Sequence, residues 1–334
     1  MQRRNPERRH PSARPSAALV LSVSLLAAAC SNAADHSAPP SAGSGFPMTV
    51  SSEGGTLTFD HPPKILVNQY EAVYPVAAAG GNKTGNVVAV TDDADQPLGT
   101  AGETLAKVPR LGTYETVSKE VIIGQKPDLV ITHGLTTGLS DQLATQGIKT
   151  MIVNVCWDGY AAAHGGRVGY DAIYDDITTI GRLLGTPDYA TQSVTSLKQT
   201  VATVQQKAQS LPKQSVAVTA GIFTGSFFVY GPPSIANTQL ETLGLPNAFS
   251  DLTKRGVEVS PEAFVARNPD FLILGYDPVT DTPEKALQKD MAVPGFATMK
   301  AVQNHHYLVL SDTFLLGRAV DGLPLMYDAI AGAK

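Results

Sequence analysis

Short apolar runs alternate with amphipathic stretches from Ile65 onward. The runs at 65–67, 87–90, 129–132 and 150–155 are continuous rather than alternating in polarity, which predicts buried strands. Between them the spacing predicts a helix over 69–79, ended by Gly80-Gly81, and a short helix over 141–146 closed by Gly147. Strands alternating with helices predict a mostly parallel sheet. The centre differs. Ile173, Ile177, Ile180, Leu183 and Leu184 recur at helical spacing over 171–184, Gly185-Thr186-Pro187 breaks that helix, and a second is predicted over 189–210. After Pro212 the alternation resumes, with strands at 216–218, 227–230, 271–274 and 307–310 and a helix over 235–243. The pattern is that of two α/β lobes joined by helix.

An internal echo supports equivalent lobes. The segment from Glu120 to Pro127-Asp128-Leu129 recurs from Glu262 to Pro269-Asp270-Phe271, with the same spacing from Glu to Pro. Each copy reads as a short helix opened by Ser118 or Ser260 and halted by the proline, then a turn and a buried strand.

The amino terminus belongs to neither lobe. Arg3, Arg4, Arg8, Arg9 and Arg14 precede an apolar run over 17–29, the layout of a secretory signal. That run is too short to span a bilayer, which takes about 20 residues. Leu26-Ala27-Ala28-Ala29-Cys30 resembles the lipobox of bacterial lipoproteins, with Ala27 where that box usually has Leu or Val. The resemblance implies cleavage before Cys30 and lipidation of its sulfur; the alternative is a secreted chain cut near Ala29 or Ala34. Residues 31–46, rich in Ser, Ala, Gly and Pro, read as a flexible tether. With Cys30 lipidated, Cys156 is the remaining cysteine and no intramolecular disulfide forms. Removing residues 1–29 takes away five arginines and Glu7, so the net charge falls by four, from -5 to -9. An acidic chain without a basic tract argues against nucleic acid as partner.

Five segments together carry a family resemblance: Val108-Pro109-Arg110-Leu111-Gly112 through Glu120; Lys126-Pro127-Asp128; Tyr230-Gly231-Pro232-Pro233-Ser234; Leu240 to Gly244 with Asn247-Ala248-Phe249; and Ser260-Pro261-Glu262 with Asn268-Pro269-Asp270. With Ala301-Val302 leading to the strand at Tyr307, they resemble the iron-siderophore, haem and cobalamin branch of periplasmic binding proteins, which serve ATP-driven importers. The resemblance covers residues 60–330. It implies two parallel-sheet α/β lobes joined by one long rigid helix, with the ligand cleft between lobes. The expected organisation is a lipoprotein signal over 1–29, a tether over 30–50, an N-terminal lobe over 51–168, an interlobe helix over 169–186 and a C-terminal lobe over 187–334. The cleft location agrees with the rule that open α/β sheets bind ligands outside the carboxyl ends of their strands.

The resemblance assigns Glu120 and Glu262 to docking on arginines of the importer's permease subunits, one from each lobe. The competing reading is a first-turn acid favoured by the helix dipole. Tyr114 stands where the family often places a ligand-contacting aromatic or Arg, six residues before Glu120. Strand ends nominate Tyr70, His133, Trp157 and Tyr230, and the aromatic, Gly-rich segment after Trp157 adds Tyr160 and Arg167. Arg318 and Arg255 are further charges that can reach an anionic ligand from the second lobe, with solvent exposure as their ordinary state. Phe223, Phe227 and Phe228 read as core, and His305-His306 is assigned nothing.

No G-x-S-x-G elbow, P-loop, G-x-G-x-x-G or H-E-x-x-H is present, which argues against an enzyme; a surface hydrolase on an α/β scaffold would need a nucleophile and base that no spacing supplies. His164-Gly165-Gly166 faintly resembles an esterase oxyanion loop but lacks that partner. Seven histidines without close metal spacing argue against a bare zinc or manganese carrier. The expected cargo is a ferric siderophore, which holds its own iron, so no cofactor and no direct metal ligand are expected. Haem is the alternative, with Tyr114, His133 or Tyr230 on the iron; cobalamin comes third, and a tethered interaction module is a separate class. The expected location is the outer side of the cell membrane, held by the lipid.

Overall fold

A computed structural model describes residues 45–52, 55–91, 105–114, 116–135 and 138–333, all within one unit, Gly43–Lys334. The signal over 1–29 and the lipidation site Cys30 lie outside the described residues. Among the described residues no helix is long and apolar enough to cross a membrane.

The first sheet has the strand order β4-β3-β5-β6, with β3 Ile65–Asn68, β4 Val87–Val90, β5 Leu129–Thr132 and β6 Lys149–Ile152, all parallel. β3, β4 and β5 are apolar except for Asn68 and Thr132 at their carboxyl ends, because both faces are covered: Ile65 and Val67 enter the large central core, while Leu66, between them, packs with Ile122, Val130 and Leu143. The edge strand β6 carries Lys149 and Thr150. Helix α1 (Tyr70–Gly80) follows β3, α2 (Lys119–Gly124) precedes β5, and α3 (Leu139–Ala144) precedes β6.

The second sheet has the order β11-β10-β7-β8-β9, with β7 Val216–Phe223, β8 Ser226–Tyr230, β9 Gly256–Val259, β10 Phe271–Tyr276 and β11 Tyr307–Ser311. It departs from the expected all-parallel lobe. β11, β10 and β7 are parallel, but β8 and β9 are antiparallel. The cause is local: β7 and β8 are joined by Thr224-Gly225 alone, both at positive φ (49° and 85°), a two-residue hairpin that leaves no chain for a crossover helix. Phe227 fills the outer core with Phe249, Phe264 and Phe296, as expected of it; Phe223 is exposed at the hairpin tip.

The echoed units superpose in their bonding. Ser118 caps α2 by accepting from Val121 N, and Ser260 caps α8 (Pro261–Arg267) by accepting from Ala263 N. Asp128 Oδ2 accepts from Lys64 N at 2.8 Å and Asp270 Oδ2 from Ser215 N at 2.7 Å. In both lobes the Pro-Asp turn is thus tied to the residue just before the neighbouring central strand.

The chain passes between sheets through α4 (Asp158–Ala163), α5 (Asp171–Leu184) and α6 (Pro187–Ala208). Gly185 closes α5 at φ 72°, and α6 packs back on α5 so tightly that a Cβ on Gly181 would collide with Ala190. The inner faces of both sheets, α1, α5, α6 and α11 (Ala319–Gly332) share one hydrophobic core. Two elements fall where no strand was expected. A hairpin of β1 (Met48–Ser52) and β2 (Gly55–Phe59) begins inside the stretch expected to be tether, burying Met48 and Val50, with Ser52 Oγ accepting from Ile152 N at 3.1 Å. β9 is the other. The remaining helices are α7 (Ile235–Thr242), α9 (Pro283–Met291) and α10 (Lys300–Gln303).

Candidate functional site

The carboxyl ends of β3, β5 and β6 converge. Gln69, between β3 and α1, holds φ 73°, a left-handed conformation uncommon for a side-chain-bearing residue. It is held there by its surroundings: Gln69 N donates to Thr91 Oγ1 (3.0 Å), and Gln69 Oε1 accepts from Thr132 Oγ1 (2.9 Å) and Gly134 N (3.0 Å). This turn starts α1 so that Tyr70 and Glu71 point into the seam between the lobes. Glu71, 5% exposed, meets His133 Nδ1 through Oε1 at 2.7 Å, while its Oε2 is buried without a partner among the described residues. Cys156, four residues beyond the end of β6, lines the same small cavity as His133. Cys156 first, and Glu71 after it, push His133 well above its ordinary pKa against the opposing effect of burial.

The second lobe answers across the seam. Tyr70 donates to Asp312 Oδ2 at 3.1 Å, a buried bond between the lobes. Burial, with the charges of Glu71 and Asp277, raises Asp312 well above the carboxylate range. Arg255 reaches over to the carbonyls of Val155 (2.6 Å) and Cys156 (3.2 Å) and to Asp158 Oδ1 (3.2 Å). Between these contacts lies a cavity of about 120 Å³ lined by His133, Cys156, Phe228, Tyr230, Arg255 and Leu316, among others. A larger depression of about 830 Å³ opens on the first lobe beside it, lined by Gln69, Tyr114, Lys119, His133, Leu135 and Gln142. His133 belongs to both.

The predicted residues therefore divide. Tyr114 and His133 line the depression, and His133 and Tyr230 face the cavity from opposite lobes. Tyr70 lies buried in the seam with its hydroxyl engaged. Trp157, the residue before α4, is half-buried against the central core directly after Cys156. Three residues expected at the cleft are placed elsewhere. Tyr160 is buried, donates to Asp175 Oδ2 at 2.7 Å and stacks on His164, because α4 lays that face on α5. Arg167 pairs with Glu241 of α7 at 2.5 Å, in a segment that docks on the second lobe through Val168 N to Pro233 O. Arg318 lies over Phe314 and Tyr74 and reaches Asp321 at 3.3 Å. Phe228, expected in the core, lines the cavity instead. Glu120 and Glu262 are exposed first-turn acids, held below the usual carboxylate pKa by their own backbone amides and the capping serines. Glu71, Cys156 and Asp312 were not foreseen. An acid directly after a buried strand, as in Tyr70-Glu71, is the signal that could have found the first.

This seam offers a phenol, an imidazole, a thiol and a guanidinium to something bound between lobes. Among the described residues no group of three or more His, Cys, Asp or Glu side chains gathers that could hold a metal ion. Residues 72–313 match the family profile described as Periplasmic binding protein. The chain is similar to the uncharacterized ABC transporter substrate-binding lipoprotein YvrC of Bacillus subtilis, 28% identical over 300 residues, 86% of each chain. It is similar to the crystal structure of an ABC-type Fe3+-hydroxamate transport system from Saccharomonospora viridis, with TM-score 0.71 and 29% identity, covering 86% of this chain and 100% of that one. The vitamin B12-binding protein of Salmonella choleraesuis is 26% identical over 170 residues, 50% of this chain and 59% of that protein.

Proposed function

The chain belongs to the periplasmic binding protein family, and we propose that it is the extracytoplasmic substrate-binding protein of an ABC importer that captures a ferric siderophore and hands it to the permease. The observation that carries this reading is the depression of about 830 Å³ at the carboxyl ends of β3 and β5, within the range of small-molecule sites. Its lining mixes Tyr114, Lys119, Gln69 and Gln142 with Leu135 and Ile122, so it can meet both the oxygens and the hydrocarbon of a chelate. The likeness to an Fe3+-hydroxamate transport protein over that protein's whole length supports the same cargo.

Haem is a second reading, favoured by one observation: His133 and Tyr230, each able to ligate haem iron, face the same cavity from opposite lobes. The cavity as it stands is far smaller than a porphyrin, so this reading requires the Arg255 contacts to open.

Glu120 and Glu262 dock the permease in this proposal. They are exposed, lie at equivalent places in the two lobes, and line neither cavity, although Lys119 beside Glu120 lines the depression. Cys30 carries the lipid that holds the protein at the outer membrane surface, and Cys30→Ser releasing it to the medium tests that anchor.

Titration of the purified protein with a ferric hydroxamate, haemin and cobalamin tests the cargo. Trp157 is the sole tryptophan and adjoins Cys156, so its fluorescence reports binding. Quenching by the ferric hydroxamate alone is the expected result. A Soret band that His133→Ala or Tyr230→Phe shifts establishes haem instead, and binding of cobalamin alone overturns both.

A further inference from the structure

We infer that Cys156 is a modification site, taking a small anionic thiol compound as a mixed disulfide inside the interlobe cavity. The inference is independent of which cargo the depression holds.

The geometry is a relay built from three strand ends. Cys156 is half-buried and lines the cavity, so a small molecule reaches its sulfur without unfolding. His133 lines the same cavity beside it, and Glu71 fixes the imidazole by binding Nδ1 at 2.7 Å, which leaves Nε2 for the thiol proton. Glu71 is held in turn by burial at the base of the seam. A thiol beside an oriented base is the arrangement that makes cysteine nucleophilic. The raised proton affinity of His133 agrees with this pairing.

The opposite wall supplies a second, separate indication. Tyr230 is 5% exposed and lines the cavity, and among the described residues its hydroxyl has no hydrogen-bond partner. Burial raises its pKa, so it remains a donor. Arg255 lines the cavity next to it, its guanidinium positioned there by the Val155 and Cys156 carbonyls and paired with the exposed Asp158, which an incoming carboxylate would replace. A phenol donor and a guanidinium facing a thiol across about 120 Å³ suit a carboxylate on a short stem.

The step is thiol–disulfide exchange. The Cys156 proton passes to His133, the sulfur attacks one sulfur of a small disulfide, a new S–S bond forms as the old one breaks, and the departing thiolate takes the proton. The incoming disulfide is the oxidant. The adduct occupies the cavity between His133 and Tyr230, and therefore weakens binding of any ligand that needs the lobes in their present contact.

The test uses the full chain and three probes of similar size: dithiodipropionate (anionic), hydroxyethyl disulfide (neutral) and cystamine (cationic). Adducts are located by peptide mapping, which separates Cys156 from Cys30. Cys156 should react at pH 7 about tenfold or more faster than in the urea-unfolded chain, fastest with the anionic probe. His133→Asn should remove most of that acceleration, within the range of a lost general base. Arg255→Gln should remove the preference for the anionic probe while the neutral probe still reacts. Should His133→Asn fail to fold, as judged by circular dichroism, Glu71→Gln keeps the imidazole and should slow the reaction several-fold. A Cys156 that reacts no faster folded than unfolded, or equally with all three probes, or unchanged by the relay variants, overturns the proposal.

Discussion

Replacing Tyr70 by Phe removes one oxygen from the seam between the lobes and leaves the ring in place. That oxygen donates to Asp312 Oδ2 at 3.1 Å, and both residues are no more than 7% exposed. Asp312 Oδ1 is already buried without a partner, so among the described residues the variant strips the carboxyl of its side-chain hydrogen bond. Leaving a buried neutral group unpaired costs about 1–3 kcal/mol. The neutral figure applies, because burial first, then Glu71 and Asp277, hold Asp312 well above the carboxylate range. A buried unpaired charge would cost about 3–5 kcal/mol. Urea unfolding followed by Trp157 fluorescence at pH 6 should therefore show Tyr70→Phe less stable by about 2 kcal/mol, with an unchanged slope against denaturant. Asp312→Asn keeps an acceptor for Tyr70 and should cost less. It should also flatten the pH dependence: a carboxyl raised on folding favours the folded state at low pH, and that contribution is lost as pH rises above the ordinary carboxyl range. Tyr70→Phe within about 0.3 kcal/mol of the parent would refute the argument, because a bond so placed should not be that weak.

Two further outcomes follow from the same reasoning. Burial first, and Asp281 after it, raise Asp290 to about 7 from 3.8, with Lys289 opposing, so the parent should lose stability as pH rises from about 4 to about 7. Asp290→Asn abolishes that loss and should be the more stable protein at pH 8, by at most about 4 kcal/mol at about 1.4 kcal/mol per tenfold change in proton affinity; a difference between the two that is constant from pH 4 to 8 would contradict it. Reversing the charge of both Glu120 and Glu262 to Lys should abolish uptake by cells and leave solution affinity for the ligand unchanged, with partial loss from either alone. Normal transport by the double variant would reduce them to helix-end residues, and lost ligand affinity would move the cleft.

What the sequence by itself determined is whatever depends on neighbours along the chain. The strands of both central layers are legible because a parallel strand covered on two faces must be apolar at every position, as Ile65-Leu66-Val67 and Phe271-Leu272-Ile273 are. The echoed unit is legible because its cap, its proline and its aspartate act within a dozen residues or on the adjacent strand. Only the tertiary structure decided the rest. β1 escapes notice because it has only two apolar positions, Met48 and Val50, β9 because its two valines are only partly buried, and the reversal at β8 turned on two residues, Thr224 and Gly225. Tyr160 and Tyr230 both follow strand or turn signals, yet one spends its hydroxyl on Asp175 and the other faces the cavity, a difference set by what packs on each side. Glu71, His133 and Cys156 are scattered along the chain and meet because β3, β5 and β6 are adjacent and parallel, which brings their carboxyl ends together. Arg255 then reaches them from the other lobe, a contact no local pattern encodes.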